Sequence, residues 1–85
     1  MPYHKNKQQA FQAAQQGVNE AKEVYENIDK DSADYGRQLK QLQQEVNEAF
    51  QQIENALENA SEKQRKRLEK YREELHLIAE DTNLF

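Results

Sequence analysis

The chain has no cysteine, no tryptophan, one proline and two glycines in 85 residues. Without cysteine there is no disulfide framework and no thiolate metal site. Gly17 and Gly36 stand too far apart to form a glycine-rich phosphate loop. Neither sign of charge dominates. Twelve Lys+Arg oppose sixteen Asp+Glu, a formal net of −4, which describes neither a polycation nor an acidic tail. No apolar run reaches the roughly 18 residues that read as a membrane span. The opening Met1-Pro2-Tyr3-His4-Lys5-Asn6-Lys7 has no apolar stretch of the secretory kind. A cytoplasmic location without a membrane partner is therefore expected. Ile, Leu, Val and Phe supply only 16 residues, so their arrangement decides whether a core can form.

That arrangement is helical. Phe11, Ala14, Val18, Ala21, Tyr25 and Ile28 follow one another in steps of three and four, the spacing of a heptad seam or the core stripe of a bundle helix. Asn6 with Gln9 fits a capping box at its start. Gly17 interrupts the stripe at a cost of about 1 kcal/mol relative to Ala, which points to close packing or simple tolerance. A second series, Leu39, Leu42, Val46, Ala49, Ile53, Ala56 and Ala60, carries Phe50 and Leu57 beside it at e positions. This stripe is wide enough to meet two neighbours. A third series, Leu68, Tyr71, Leu75 and Ile78, is out of phase with the second, so the two are joined either by a stutter or by a break.

The punctuation favours a break. Asp29-Lys30-Asp31-Ser32 should end the first helix, with Asp31 or Ser32 capping the second and Asp34 near its positive end. Asn59 can adopt the left-handed conformation that closes a helix, and Ser61-Glu62-Lys63-Gln64 reads as a fresh capping box. No period-2 run suggests a strand. The sequence predicts an all-α antiparallel three-helix bundle in one domain, residues 1–85. Its helices span about 6–29, 32–58 and 61–80, with loose tails 1–5 and 81–85 and with Leu84 and Phe85 able to dock on a bundle end. The alternative is a two-helix hairpin, or antiparallel coiled coil, with one long second helix.

Constellations for catalysis are weak. Glu73 and His76 have the E-x-x-H spacing of di-metal bundles, and Glu80 could add a ligand. In the Leu68/Leu75 register, however, Glu73 and Glu80 fall at f and His76 at b, facing outward. His4 has no readable partner. Ser32 and Ser61 are better used as caps, and Thr82 stands beside no base. Glu45/Glu48 and Glu54/Glu58 pair on the surface, and none of them is expected on an apolar face that would raise its pKa for acid–base work. No catalytic residue, cofactor, metal or small-molecule substrate is assigned, and an enzyme is not expected.

Charge is patterned along the chain. Lys63, Arg65, Lys66, Arg67, Lys70 and Arg72 crowd into ten residues, but residues 60–85 balance six bases with six acids, and Glu62–Lys66 and Arg65–Glu69 can pair at i, i+4. Residues 32–59 hold five acids and two bases, a complement that could steer the packing of helices two and three. The Gln8-Gln9, Gln15-Gln16, Gln43-Gln44 and Gln51-Gln52 pairs fall on outer faces and read as neutral solvated surface.

The segment Asn59-Ala60-Ser61-Glu62-Lys63-Gln64-Arg65, followed by Leu68, Arg72 and Leu75, resembles the YtzC-like family of small helical proteins of unknown function from Gram-positive spore-forming bacteria. The likeness extends to the Gln/Glu-rich amphipathic helix before it. The resemblance implies a cytosolic bacterial protein and supplies no activity, cofactor or site residues.

The functional expectation is a non-enzymatic protein-interaction module, self-association being one form of it. Val24, Phe50, Leu57 and Leu77, beside the main seams, are the candidate protein-binding residues; they could equally fill a three-helix core. The alternative is nucleic-acid binding through Lys63, Arg65, Lys66, Arg67 and Lys70.

Overall fold

The computed structural model describes residues 7–83, and within them the chain forms three helices and no strand. These are α1 (Lys7–Glu26), α2 (Tyr35–Leu57) and α3 (Glu62–Thr82). Each packs on both others, so the architecture is an up-down-up three-helix bundle. The long-second-helix alternative is excluded by the break between Leu57 and Glu62.

The 3-4 seams become the core. Phe11, Ala14, Val18 and Ala21 of α1 meet Leu42, Val46, Ala49, Ile53 and Ala56 of α2 and Leu68, Leu75 and Ile78 of α3. No polar or charged residue is buried among the described residues. Tyr25, Ile28, Ala60 and Tyr71 complete the seams from half-buried positions. Phe11 near the start of α1 lies 6.3 Å from Tyr71 between ring centroids, and Tyr25 near its end bonds Asp81 near the end of α3, so α1 and α3 run parallel.

α1 and α2 are the most extensively packed pair. A Cβ built on Gly17 would stand 3.3 Å from the Ala49 Cα. The glycine inside the first stripe is therefore where two helix backbones approach closely.

The loops differ from the sequence expectation. α1 ends at Glu26, three residues early, and α2 begins at Tyr35, three residues late. Polar side chains spend their hydrogen bonds locally. Asn27 Nδ2 donates to the Glu23 carbonyl at 2.8 Å, competing with continuation of the helix. Asp29 Oδ1 accepts from the Asp31 amide and Ser32 Oγ from the Asp34 amide, building two successive turns. Neither Asp31 nor Ser32 caps α2. The N-cap is Asp34, and its side chain makes no capping hydrogen bond. Gln38 ties the loop down by accepting from the Asp29 amide at 3.0 Å.

Between α2 and α3, Asn59 does not take the left-handed conformation; only Asn83 among the described non-glycine residues has positive φ. The break is secured from the other side. Ser61 Oγ accepts from the Gln64 amide at 3.2 Å, while Gln64 Oε1 accepts from the Ser61 amide at 3.1 Å. This is the capping box read from the sequence. Ser61→Ala should lower unfolding stability by about 1 kcal/mol; urea unfolding monitored by circular dichroism measures it.

α3 also runs further than expected. Asp81 and Thr82 are helical rather than part of a tail, and Thr82 Oγ1 donates to the Ile78 carbonyl at 2.7 Å. Asn83, at φ 59 and ψ 36, ends the helix in the left-handed conformation, which asparagine tolerates better than most residues. The Asn6 cap, tail 1–5 and the docking of Leu84 and Phe85 lie outside the described residues.

Candidate interaction surface

The four candidate apolar residues occupy different environments. Val24, Phe50 and Leu57 pack against the core from half-buried positions. Leu77, 61% exposed, is the exposed large hydrophobic residue among those described. They form no single patch. Val24 floors a groove between α1 and α2, Phe50 faces α3, and Leu77 stands over the groove between α1 and α3.

Phe50 is covered by His76, whose ring centroid lies 5.0 Å away in a tilted arrangement. His76 stays exposed, as the register predicts, together with Glu73 and Glu80. Among the described residues no group of three acidic or histidine side chains is disposed to hold a metal ion.

Leu77 borders a shallow depression of about 330 Å³ with Lys22, Tyr25, Glu26, Glu74 and Ile78. Lys22 Nζ meets Glu74 Oε2 at 2.8 Å, tying α1 to α3. Tyr25 Oη donates to Asp81 Oδ2, and this hydrogen bond, with smaller contributions from burial and the carboxylate charge, raises the phenol pKa above 10.0.

The basic cluster is exposed throughout. Lys63, Arg65, Lys66, Arg67 and Lys70 all face solvent, and none makes an ion pair with another described residue. The expected Glu62–Lys66 and Arg65–Glu69 pairs do not form. Arg72 alone reaches α2, with its Nη2 3.7 Å from Glu54 Oε1, so steering of α2 against α3 rests on one half-exposed contact of about 0–1 kcal/mol. On a 3.6-residue helix, Lys63, Lys66, Arg67 and Lys70 share one ridge at i, i+3, i+4 and i+7. Leu77 lies on the same side two turns beyond Lys70, with Glu73 and Glu74 between them. Arg65 points to another side, near Arg72. Glu62, Glu69, Glu73 and Glu80 form a separate acidic line.

The opposite charge gathers between α1 and α2. Glu20 and Glu23 of α1 border a groove of about 450 Å³ with Val24, Gln38, Gln41 and Glu45; Glu48 lies one turn beyond Glu45. The sequence expectation that none of the paired carboxylates would be raised is corrected at Glu45. Burial beside the helix seam, followed by the charges of Glu20 and Glu48 and a hydrogen bond with Glu20, raises its carboxyl above the ordinary value of 4.5. The sequence shows Glu45 beside Glu48 but does not reveal that α1 brings Glu20 opposite; that proximity depends on the register of two helices.

A carboxyl with a raised folded-state pKa holds its proton more tightly in the folded than in the unfolded chain. Its stabilising contribution is complete below the ordinary value and disappears as pH rises through the raised one. Glu45→Gln should therefore remove part of the stability gained on acidification from neutrality towards 4.5. Thermal unfolding of both proteins across that interval checks this, the variant giving the flatter profile.

The chain matches no family model, and no curated protein or solved structure matches it.

Proposed function

We propose that the protein is a non-enzymatic interaction module that recognises another protein through its charged helix faces. The observation that carries this reading is the exposure of Leu77 on the helix whose cations Lys63, Lys66, Arg67 and Lys70 make no ion pair with another described residue. An exposed apolar residue on a charged helix offers a partner buried area, and the charges around it offer orientation. The yield of chemistry from the described surface is small by comparison: its carboxylates and His76 converge on no nucleophile.

A photo-crosslinking amino acid at position 77, compared with one at exposed position 44 on the outer face of α2, tests the proposal in cells expressing the chain. A protein adduct formed at 77 and not at 44 is expected. Absence of any protein adduct at 77 contradicts the reading.

Nucleic-acid binding is the second reading, favoured by the five exposed cations at positions 63–70. Against it stand the acidic line Glu62, Glu69, Glu73 and Glu80 on the same helix and the net charge of −4, since phosphate contacts demand an uninterrupted positive face. Electrophoretic mobility decides between them. A shift of DNA or RNA at about 50 mM salt, lost when Lys63, Arg65, Lys66, Arg67 and Lys70 are replaced by Gln, would favour nucleic acid. No shift at that salt removes this reading.

A further inference from the structure

We propose that the chain associates with a second copy of itself, head to tail, with the basic ridge of α3 lying in the acidic α1/α2 groove of the neighbouring molecule. This rests on the reading of the protein as an interaction module and names its partner. One chain carries two complementary faces. The ridge presents Lys63, Lys66, Arg67 and Lys70 on one side of a single helix, spanning about 10 Å at a rise of about 1.5 Å per residue. Glu20, Glu23 and Glu45 line the groove and Glu48 stands one turn beyond it, and none of the four makes an ion pair with another described residue. Each face has what the other lacks, and within the molecule they do not meet.

The fold also sets the symmetry. The groove is lined by α1 and α2 alone, whereas the ridge belongs to α3, so one pairwise contact joins two different faces. Such a heterologous contact leaves a ridge free on one molecule and a groove free on the other, and it extends into open chains unless the rotation closes. Because each exposed ion pair adds little, the assembly is weak and falls apart as salt screens it.

Protonation of Glu45 is favoured first by burial and then by the charges of Glu20 and Glu48, and a cation placed there would oppose it. Glu26 at the Leu77 depression and the acidic line of α3 flank the ridge, which restricts the orientations in which a second copy can dock.

Two variants separate the faces. A ridge variant carries Lys63→Gln, Lys66→Gln, Arg67→Gln and Lys70→Gln; a groove variant carries Glu20→Gln, Glu23→Gln, Glu45→Gln and Glu48→Gln. Circular dichroism first establishes that both fold. Analytical ultracentrifugation then compares them with the unaltered chain. At about 20 mM salt the unaltered protein should grow in mass with concentration beyond a dimer, and at about 500 mM it should return to monomer. Each variant alone should stay monomeric at low salt. An equimolar mixture should form a dimer and nothing larger, because each member retains one working face.

A monomeric unaltered protein at low salt, assembly that both variants leave intact, or a mixture that forms no dimer would overturn the proposal. So would a ridge whose neutralisation abolishes only nucleic-acid binding. If the purified protein is monomeric while position 77 crosslinks a different protein in cells, the second copy is refuted and the interaction module stands. If position 77 crosslinks no protein at all, both fall.

Discussion

Replacing Val46 by Asp is expected to abolish cooperative unfolding, while Gln44→Asp, two residues away, shifts the transition by less than about 0.5 kcal/mol. Val46 has 0% exposure at the centre of the α2 stripe, between the α1 and α3 seams. Gln44 is exposed on the outer face of α2. A carboxylate at position 46 would be buried among Val, Leu, Ile and Ala, where no described polar or charged residue is buried to pair with it. An uncompensated buried charge costs about 3–5 kcal/mol, a large share of the total stability of a domain this small, which is about 4–13 kcal/mol at typical values per residue. Urea titration followed by circular dichroism measures both variants. Equal losses from the two would mean that the helix faces have been assigned to the wrong sides.

The two glycines should respond in opposite directions. Gly17→Leu is expected to destabilise the bundle by about 1–3 kcal/mol, although leucine is the better helix former by most of a kilocalorie. The reason is geometric: the new Cβ would stand 3.3 Å from the Ala49 Cα and 3.5 Å from its Cβ. Rotating the side chain cannot relieve that crowding, because the first added carbon already meets the backbone of α2. Relief requires one helix to move away from the other, and their shared core residues would lose contact. Gly36, in the first turn of α2, has nothing within 4 Å of its would-be Cβ. Gly36→Ala should therefore stabilise by about 0.5–1 kcal/mol, through helix propensity and a less flexible unfolded chain. Unfolding midpoints of both variants, with unchanged denaturant slopes, would establish the contrast.

These two cases mark how far the sequence was legible. The seams were readable because helix periodicity is a local property: Phe11 to Ala21, Leu42 to Ala56 and Leu68 to Ile78 have the same burial whether inferred from spacing or observed in the bundle. The Ser61–Gln64 capping box was readable for the same reason, both members lying within one turn. The stretch 27–34 was less so. Asp29, Ser32 and Asp34 are all competent turn and cap residues, and which hydroxyl or carboxylate serves which amide depends on where Gln38 pins the loop.

The surface was the least legible part. Spacing identified Leu77 and the cluster Lys63–Lys70, but could not show that the expected ion pairs within α3 remain open while Lys22 and Glu74 join across helices. Nor could it show that Phe50 is screened by His76 or that Glu20 faces Glu45. Each of these depends on the register between elements. An interaction surface assembled from three helices is visible only once they are packed.

The most direct test of the account is a nuclear Overhauser spectrum with backbone carbon shifts assigned along the chain. The bundle predicts ring-to-ring cross-peaks between Phe11 and Tyr71 and between Phe50 and His76, whose centroids lie 6.3 Å and 5.0 Å apart. It also predicts helical shifts interrupted between Leu57 and Glu62. Unbroken helical shifts from Tyr35 to Thr82, with both aromatic cross-peaks absent, would contradict the fold and with it the surfaces on which the functional proposals rest.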